Sequence, residues 1–419
     1  YQVAQADCLE MLRPAAMSPS RLFKLLLAIG GFAACCLAVL ALLGGVDSSG
    51  YRLTAEEATQ RPASHPGSWG QRQRPQLQPQ PVRELLPYLS GECSGRAPCV
   101  AFGSPLFHRW RGWLPLVDTW LAGGQADCGF ACEFIADASA ADAVLFHGRD
   151  LQPRLSLGRS LQQFWVYVNM ESPLATRRYG YNVAADPKFR FLFNWTATTL
   201  RSSSIPLAYE VWERRRSPLA PAEQLYSVSK KKHLAFIAFS NCKYSFNNRT
   251  AKVRELQKYM EVHVYGDCGD RRLAKNATAF RQLSELYRFY LSFENAFCRD
   301  YITEKLHANG LQSIAVPVVF GGLSRAEYEA VSPPRSFVFA LDFASMKQLA
   351  DHLTELAADE ARYSRYFDWK RHYRASPSSA MLCAICRKLH TDSARSVADL
   401  NDFSDVAANC RPADFPYLL

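Results

Sequence analysis

Short apolar runs alternate with amphipathic segments along the chain from about residue 96 onward. The runs are typical of strands, and we predict eight, at residues 143–147, 164–169, 189–194, 233–239, 262–265, 289–293, 315–320 and 337–341. Apolar residues at helical spacing predict crossover helices at 251–261 and 345–358. This alternation is typical of doubly wound parallel sheets, so we predict an α/β protein with two such domains.

The N-terminal region contains a candidate membrane anchor. Residues 25–46 (LLLAIGGFAACCLAVLALLGGV) carry no charge, and as a helix they would span about 33 Å, enough for the hydrocarbon core. Arg13, Arg21 and Lys24 precede this run, so residues 1–24 are predicted to be a cytosolic tail and the body to lie in the lumen. A cleaved signal peptide is the alternative, but the run is longer than a usual signal core.

Composition divides the rest of the chain. Residues 47–95 are rich in Gln, Pro, Arg and Ser and predict an extended stem. Residues 96–222 and 223–375 are predicted to be the two α/β domains, and the charged, proline-containing stretch 210–232 is predicted to contain the linker between them. Residues 376–419 form a C-terminal, cysteine-containing segment that we expect to pack back on the N-terminal domain.

The net charge and the absence of several common motifs limit the classes of ligand and reaction that fit this sequence. The formal charge of +10 suits anionic ligands, but a nucleic-acid partner is excluded if the basic residues face the lumen. The sequence contains no Walker loop, no Gly-x-Gly-x-x-Gly turn and no Asp-x-Asp pair, and we assign no metal ligand. A nucleotide-sugar enzyme built from this chain would therefore neutralise its leaving diphosphate with Lys, Arg and helix N-terminal amides.

Residues 289–306 (FYLSFENAFCRDYITEKL) contain the largest number of closely spaced candidate functional side chains. A strand-like run ends in Glu294 and Asn295, and Thr303, Glu304 and Lys305 are predicted to open a helix. Ligands of parallel α/β sheets bind at the carboxyl ends of strands, where these polar groups would lie. The alternative is a helix capped by Thr303 with an acidic first turn and no ligand.

This segment resembles the donor-binding motif of the α-1,3-fucosyltransferase family, glycosyltransferase family 10, which carries F-Y-L-x-F-E-N followed by D-Y-x-T-E-K. Further matches in order across residues 128–392 are MESP (170–173), FNWT (193–196), SNC (240–242), VYGDCG (264–269), VPVV (316–319) and DF (342–343). The element CAIC (383–386), followed by Leu389 and His390, is most similar to the invertebrate and plant branch that fucosylates the inner GlcNAc of N-glycans.

The resemblance implies a GT-B type fold, with two Rossmann-like domains facing a cleft, and inverting transfer of fucose from GDP-β-L-fucose to a GlcNAc 3-hydroxyl. The N-glycan core is the expected acceptor, and lactosamine antennae are the alternative. A catalytically silent luminal binder of glycan or GDP-fucose is a further alternative. No cofactor is required, while stimulation by Mn2+ or Mg2+ and the oligomeric state are left open. The expected location is the Golgi membrane.

The resemblance also implies residue roles. Glu171 matches the position of the base that deprotonates the acceptor hydroxyl, and the alternative is a capping or surface carboxylate. Asn295 and Glu304 are expected to contact fucose and ribose. Diphosphate contacts are expected from three residues that can stabilise negative charge: Arg249, Tyr301 and Lys305. The alternative for Arg249 is a surface helix residue without a ligand.

One segment departs from the family pattern. Where the family continues after Asn-Trp-Thr with a Tyr-Arg pair and an acidic D-S-D triplet, residues 199–204 read TLRSSS. The Tyr and both acidic residues are missing. Since this segment belongs to the acceptor half, we expect a shifted acceptor preference or a lowered activity.

Cysteines and sequons complete the predictions. By resemblance, Cys128 and Cys132 pair with Cys383 and Cys386. Cys242 and Cys268 are predicted to form a third pair. The alternative is zinc held by Cys383, Cys386, His390 and Cys410. Three N-glycosylation sequons begin at Asn194, Asn248 and Asn276. Asn276 is the expected acceptor, because a glycan on Asn248 would crowd the donor and Asn194 belongs to a motif expected to be partly buried.

Overall fold

The computed structural model describes residues 85, 87–90, 92–152, 155, 158–179, 186–219, 230–242, 246–274, 276–376, 381–394 and 396–411. All of them belong to one compact unit, Gln76–Leu419. The predicted tail, anchor and most of the stem lie outside the described residues. Within the described part of the chain, every helix is too short or too polar to cross a membrane.

The described residues form two parallel sheets and one antiparallel pair. The strands are β1 (Cys99–Phe102), β2 (Glu133–Phe134), β3 (Ala143–His147), β4 (Phe164–Asn169), β5 (Trp195–Thr198), β6 (Ile205–Pro206), β7 (Trp212–Arg214), β8 (His233–Ala238), β9 (Val262–Tyr265), β10 (Tyr287–Phe293), β11 (Val316–Phe320), β12 (Val338–Phe339) and β13 (Tyr373–Ala375). The first sheet has the order β2-β1-β3-β4-β5-β6 and the second β12-β11-β10-β8-β9. These two parallel sheets confirm the predicted α/β class.

Helices cover the sheets and connect their strands. The α-helices are α1 (Leu114–Thr119), α2 (Gln125–Cys128), α3 (Pro173–Tyr179), α4 (Arg249–Leu256), α5 (Ala277–Glu285), α6 (Arg325–Glu329), α7 (Met346–Ala358), α8 (Glu360–Ser364), α9 (Met381–Thr391), α10 (Asn401–Ser404) and α11 (Val406–Asn409). Helix α7 follows the prediction closely, with Ser345 capping it by accepting a hydrogen bond from the Gln348 amide. Helix α4 begins two residues before the predicted helix and ends five residues earlier.

One predicted strand is wrong. Residues 189–194 form a loop that follows a 3₁₀ turn at Pro187–Phe189, and β5 begins only at Trp195. The side chain of Asp186 accepts a hydrogen bond from the Lys188 amide and stabilises this turn. Phe189 and Phe193 are still fully buried, so the apolar pattern reports burial of a loop and not a strand.

The predicted linker is partly ordered. Residues 212–214 form β7, which pairs antiparallel with β13, whereas residues 220–229 lie outside the described part. Trp212 packs edge-on against Trp369 with ring centroids 5.1 Å apart. Because of this aromatic contact, the first part of the charged stretch 210–232, which was predicted to contain the linker, forms a strand.

The folded part also begins before residue 96, where the stem was predicted to end. Leu85 and Leu89 are buried in the core of the first sheet, and Cys93 forms a disulfide with Cys99. Ser90 forms a parallel bridge with Ile135 beside β2. The last part of the predicted stem is therefore packed against the first sheet.

Five disulfides join the described residues. They are Cys93–Cys99, Cys128–Cys383, Cys132–Cys386, Cys242–Cys268 and Cys298–Cys410. Cys128–Cys383 and Cys132–Cys386 agree with the pairing that the resemblance implied, and Cys242–Cys268 is the predicted third pair. Three of the four residues of the alternative zinc site are thus held in disulfides, so that alternative is wrong. The two long-range bridges attach α9 to the first half, where Leu382 and Ile385 are buried in its core.

Candidate active site

A cleft of about 1250 Å³ lies where the carboxyl ends of strands from both sheets meet. Strand β4 of the first sheet and strands β8, β9 and β10 of the second end at its walls. All six residues with a predicted catalytic or donor role line it: Glu171, Arg249, Asn295, Tyr301, Glu304 and Lys305. These residues span more than 130 positions of the sequence, so their convergence is a property of the fold.

Glu171 is held at the end of β4 by its backbone. Its amide donates to Oδ1 of Asn169 at 2.9 Å, and Asn169 is fully buried. The Asn169 amide group in turn donates to the hydroxyls of Tyr167 and Thr176, at 2.9 and 2.8 Å. Among the described residues, none donates a hydrogen bond to the Glu171 carboxylate. The backbone is therefore fixed while the carboxylate remains available to accept a proton from a ligand.

Tyr209 lies beside this carboxylate and has no counterpart among the predicted site residues. Its hydroxyl donates to the Met170 carbonyl at 2.9 Å. Burial, and then the negative charges of Glu304 and Glu171, raise the pKa of Tyr209 well above its ordinary value. The phenol consequently stays protonated and keeps the peptide before Glu171 in place.

Glu294 organises the opposite wall. This carboxylate, 2% exposed, ends β10 and accepts hydrogen bonds from both the amide and the hydroxyl of Thr303, at 2.8 and 2.9 Å. The hydroxyl of Thr303 therefore donates to Glu294, and it also accepts a long hydrogen bond from the Lys305 amide at 3.3 Å. The helix predicted to open at Thr303 is only partly formed: the Thr303 carbonyl accepts from the amides of Leu306 and His307, and residues 304–306 form a turn that leads into a single π-helical turn at His307–Leu311.

Lys305 is surrounded by acceptors. Its Nζ lies 3.3 Å from Oε2 of Glu294, 3.0 Å from Oε1 of Glu304 and 2.9 Å from the Thr303 hydroxyl. Burial would lower the pKa of Lys305, but the carboxylates of Glu294 and Glu304 outweigh it and raise that pKa. Lys305 is thus a permanent cation at the cleft wall.

Arg249 is a second cation in the same wall. It begins α4, is 2% exposed, and donates from Nη1 to the Phe293 carbonyl at 3.1 Å. Its guanidinium also lies 4.3 Å from the centre of the Phe239 ring. The alternative of a surface helix residue is therefore wrong. Burial lowers the pKa of Arg249 while the charge of Glu294 opposes this, and a guanidinium so held stays charged near neutral pH.

Two further side chains in the wall are suited to hold a polar ligand. Tyr301 is 3% exposed, and burial, followed by the influence of Tyr209 and Glu171, raises its pKa so that it remains a neutral donor. Oδ1 of Asn295 is buried and accepts no hydrogen bond from the described residues. A buried polar atom without a partner at a cleft wall indicates a ligand that supplies the missing donor.

A helix N-terminus contributes to the far edge of the cleft. Asn276 and Ala277, at the start of α5, line the cleft, and Oδ1 of Asn276 accepts a hydrogen bond from the Ala279 amide. The positive end of this helix favours anions. The three sequons differ in accessibility, because Asn248 and Asn276 are exposed, whereas Asn194 is 4% exposed and accepts a hydrogen bond from the Trp165 amide.

Two residues that line the cleft, Arg149 and Tyr209, and one residue behind its wall, Glu294, had no predicted role. Glu294 belongs to the motif in residues 289–306, but its role in holding Thr303 and Lys305 follows only from their contacts in the structure. Arg149 follows the carboxyl end of β3, a position that the same strand-end argument could have found. Tyr209 has no local sequence signal, because only the tertiary structure brings it to Met170.

Comparison with known proteins agrees with this geometry. The family model "Fucosyltransferase, N-terminal" matches residues 115–210, and "Glycosyltransferase family 10 (fucosyltransferase) C-term" matches residues 228–403. The two matches cover every strand of the two parallel sheets except β1, and every predicted catalytic and donor residue. The chain belongs to glycosyltransferase family 10, the fucosyltransferases.

Three curated relatives show the level of similarity. Glycoprotein 3-alpha-L-fucosyltransferase A of Drosophila melanogaster is 35% identical over 283 residues, which cover 65% of this chain and 54% of the fly protein. Alpha-(1,3)-fucosyltransferase 7 of Bos taurus is 40% identical over 260 residues, covering 60% and 70%. Human 4-galactosyl-N-acetylglucosaminide 3-alpha-L-fucosyltransferase FUT5 is 37% identical over 287 residues, covering 64% and 70%. The chain thus spans only about half of the fly relative.

Proposed function

We propose that this chain transfers L-fucose from GDP-β-L-fucose to the 3-hydroxyl of a GlcNAc residue in a glycan. The observation that carries the proposal is the cleft itself, in which one available carboxylate faces a wall holding two cations. Family membership supports the same reaction class, and the orphaned Oδ1 of Asn295 marks where a polar ligand is missing.

The donor diphosphate would lie against Arg249, Lys305 and Tyr301. Two permanent cations and a neutral phenol can neutralise and hydrogen-bond the leaving group without a metal ion. The Asn295 side chain would accept and donate hydrogen bonds at the sugar hydroxyls, and the Glu304 carboxylate would accept them. A donor phosphate would also displace Lys305 from part of its present contact with the carboxylates.

The chemical step would be a direct displacement with inversion. The Glu171 carboxylate takes the proton of the acceptor hydroxyl while the acceptor oxygen forms a bond to the anomeric carbon of fucose. On the opposite face, the bond from that carbon to the β-phosphate oxygen breaks, and GDP leaves with the electron pair. Arg249, Lys305 and Tyr301 stabilise the charge that develops on the departing phosphate.

We place the acceptor in the N-glycan core. The resemblance of the CAIC element to core-modifying enzymes supports this choice, and the fly relative is named for a glycoprotein acceptor. The human relative, named for a galactosyl-N-acetylglucosaminide, supports the alternative of lactosamine antennae at similar identity. The two acceptors therefore belong in the same experiment.

The proposed setting is the Golgi lumen, with residues 25–46 as a single type II anchor. Five disulfides among the described residues fit an oxidising compartment. Localisation of the tagged full chain, combined with protease protection of intact vesicles, tests this placement. Protection of the C-terminus is the expected result.

The activity is tested with the purified full chain, GDP-fucose and two acceptors, a truncated N-glycan with its chitobiose core and a lactosamine oligosaccharide. Mass spectrometry reads the product and its linkage, with and without EDTA. Transfer to the core GlcNAc that persists in EDTA is expected. Binding of GDP-fucose without transfer to either acceptor would instead favour the silent binder, for which the altered segment 199–204 is the motivating feature.

A further inference from the structure

The segment 199–204, which departs from the family pattern, lies where the first sheet meets the loop after β10 of the second. We call this boundary the seam between the two sheets. The backbone amide of Arg201 donates to Oδ2 of Asp300 at 3.0 Å, and its side-chain Nε donates to Oδ1 of the same carboxylate at 2.7 Å. Arg201 follows β5 of the first sheet, whereas Asp300 belongs to the loop after β10 of the second. One carboxylate therefore joins the two halves through two charge-assisted hydrogen bonds.

Asp300 is in an unusual position for such a contact. Its side chain is only 9% exposed, although that of Arg201 is 58% exposed. Its backbone has φ = 55°, in the left-handed region that non-glycine residues rarely adopt. Such a conformation persists only where surrounding contacts hold it. Arg201 donates hydrogen bonds to both carboxylate oxygens of Asp300.

Two more contacts cross the seam at the same place. Nη2 of Arg299 donates to the Ser202 hydroxyl at 3.2 Å, and Nη2 of Arg201 lies 3.8 Å from Oε1 of Glu327. Glu327 in turn completes the cap at the start of α6. The altered segment therefore contacts the loop that precedes Tyr301 on several atoms, in addition to belonging to the first sheet.

The residue after Asp300 is Tyr301, which lines the cleft and is assigned to the donor diphosphate. We propose that Arg201 is a positioning residue: by holding the Asp300 turn it fixes Tyr301 for the donor, so segment 199–204 controls use of GDP-fucose. This inference rests on the proposed function. It differs from the sequence-based expectation, which connected this segment with the acceptor.

Arg190 offers a matched control. Like Arg201 it is about half exposed and binds both oxygens of one aspartate, Asp399, with Nε 3.1 Å from each oxygen and Nη2 2.8 Å from Oδ2. Neither residue of that pair lines the cleft. Arg201→Ala and Arg190→Ala each remove a half-exposed arginine side chain from an aspartate, and only Arg201 contacts the loop before Tyr301. The backbone amide of residue 201 still donates to Asp300 in Arg201→Ala, so this variant tests the side-chain contact alone.

The test measures GDP affinity by calorimetry on the full chain, together with KM for GDP-fucose and for the acceptor. Arg201→Ala should weaken GDP binding about tenfold and raise the donor KM, with the acceptor KM unchanged. Arg190→Ala should change none of these. A rise confined to the acceptor KM, or equal effects of the two variants, would overturn the proposal.

A double-variant cycle separates positioning from general destabilisation. In a Tyr301→Phe background, Arg201→Ala should cost less than twofold in GDP affinity, because the group it positions is already gone. Independent, multiplying losses would overturn the assignment. If the unaltered chain binds no GDP, the proposed function fails first, and this outcome is distinguished from failure of the positioning role by the wild-type titration alone.

Discussion

The carboxylate of Glu294 and the ammonium of Lys305 lie 3.3 Å apart in the wall of the cleft, one 2% exposed and the other held among three acceptors. A buried ion pair of this kind contributes little net stability, because removing both charges from water offsets their attraction. The ion pair between Glu294 and Lys305 instead fixes the position of Lys305. Glu294 holds the turn that presents Lys305 and Glu304, so a cation is ready before any donor arrives.

Removing this cation should weaken the proposed transfer strongly. Lys305→Gln is expected to lower kcat at least about 100-fold, since the charge that stabilises the leaving diphosphate is lost. Initial rates at saturating acceptor measure the effect. Lys347→Gln, which breaks a surface pair with Asp351 on α7, is the control and should retain full activity. Equal activity of Lys305→Gln and the wild type would contradict the assigned role.

A buried histidine should make stability depend on pH. Burial lowers the pKa of His307 to about 4, and its Nδ1 accepts a hydrogen bond from the Trp212 indole at 3.2 Å. Between pH 4 and the unfolded value near 6.5 the unfolded chain binds more protons, so stability falls as pH falls through this window. The contribution lost by pH 4 is about 3 kcal/mol.

His307→Gln should therefore flatten the acid side of the stability curve. Urea unfolding at pH 7 and pH 4.5 compares the variant with the wild type, and the wild type should lose more free energy of unfolding between the two pH values. His352→Gln is a comparison variant, because burial also lowers the pKa of this histidine on α7 but its side chain is only half-buried, so a smaller change is expected. Parallel losses in wild type and His307→Gln would contradict the prediction.

The disulfides should differ in their effect on stability. The bridge Cys298–Cys410 closes a sequence separation of 112, whereas Cys93–Cys99 closes one of 6. The bridge Cys128–Cys383 is less suitable for this comparison, because Cys132–Cys386 still closes nearly the same loop when it is removed. In the chain-entropy model Cys298–Cys410 and Cys93–Cys99 contribute about 5 and about 2 kcal/mol. Paired Ser variants of each bridge, compared by denaturant unfolding, should follow that order. A larger loss for the short bridge would show that strain or residual unfolded structure decides.

A gain of function is expected at the seam between the sheets. Arg299 now donates to the neutral hydroxyl of Ser202, so Ser202→Asp would offer it a carboxylate. Tighter GDP binding, by about two- to threefold, is the expected result, because exposed ion pairs contribute up to about 1 kcal/mol. Calorimetry measures the change, and Ser202→Asn controls for side-chain size. Equal affinity for the two variants would contradict the role of charge.

Much of the sheet structure followed from the sequence, because strands such as β3 and β4 are almost continuous apolar runs whose bounds are visible locally. The pattern failed at residues 189–194, since buried phenylalanines of a loop look like those of a strand. The six site residues were predicted through family motifs and not through spacing. The contact of Arg201 with Asp300 could not be predicted, because 99 residues separate them and only the packing of two sheets brings them together.

The same reasoning explains the missed disulfides. Cys298 and Cys410 pair across the loop before Tyr301 and the C-terminal segment, and no local pattern connects them. Cys93 was assigned to a stem by its surrounding composition, although the buried Leu85 and Leu89 anchor that stretch to the first sheet. Composition averages over a window and does not register two well-placed leucines.

The central claim is that Glu171 is the base of a fucosyl transfer in this cleft, and Glu171→Gln tests it most directly. The variant keeps the size of the side chain and the backbone contact with Asn169. It should bind GDP as tightly as the wild type, while the proposed fucosyl transfer falls at least about 100-fold. Undiminished transfer by Glu171→Gln, with GDP binding intact, would contradict the account.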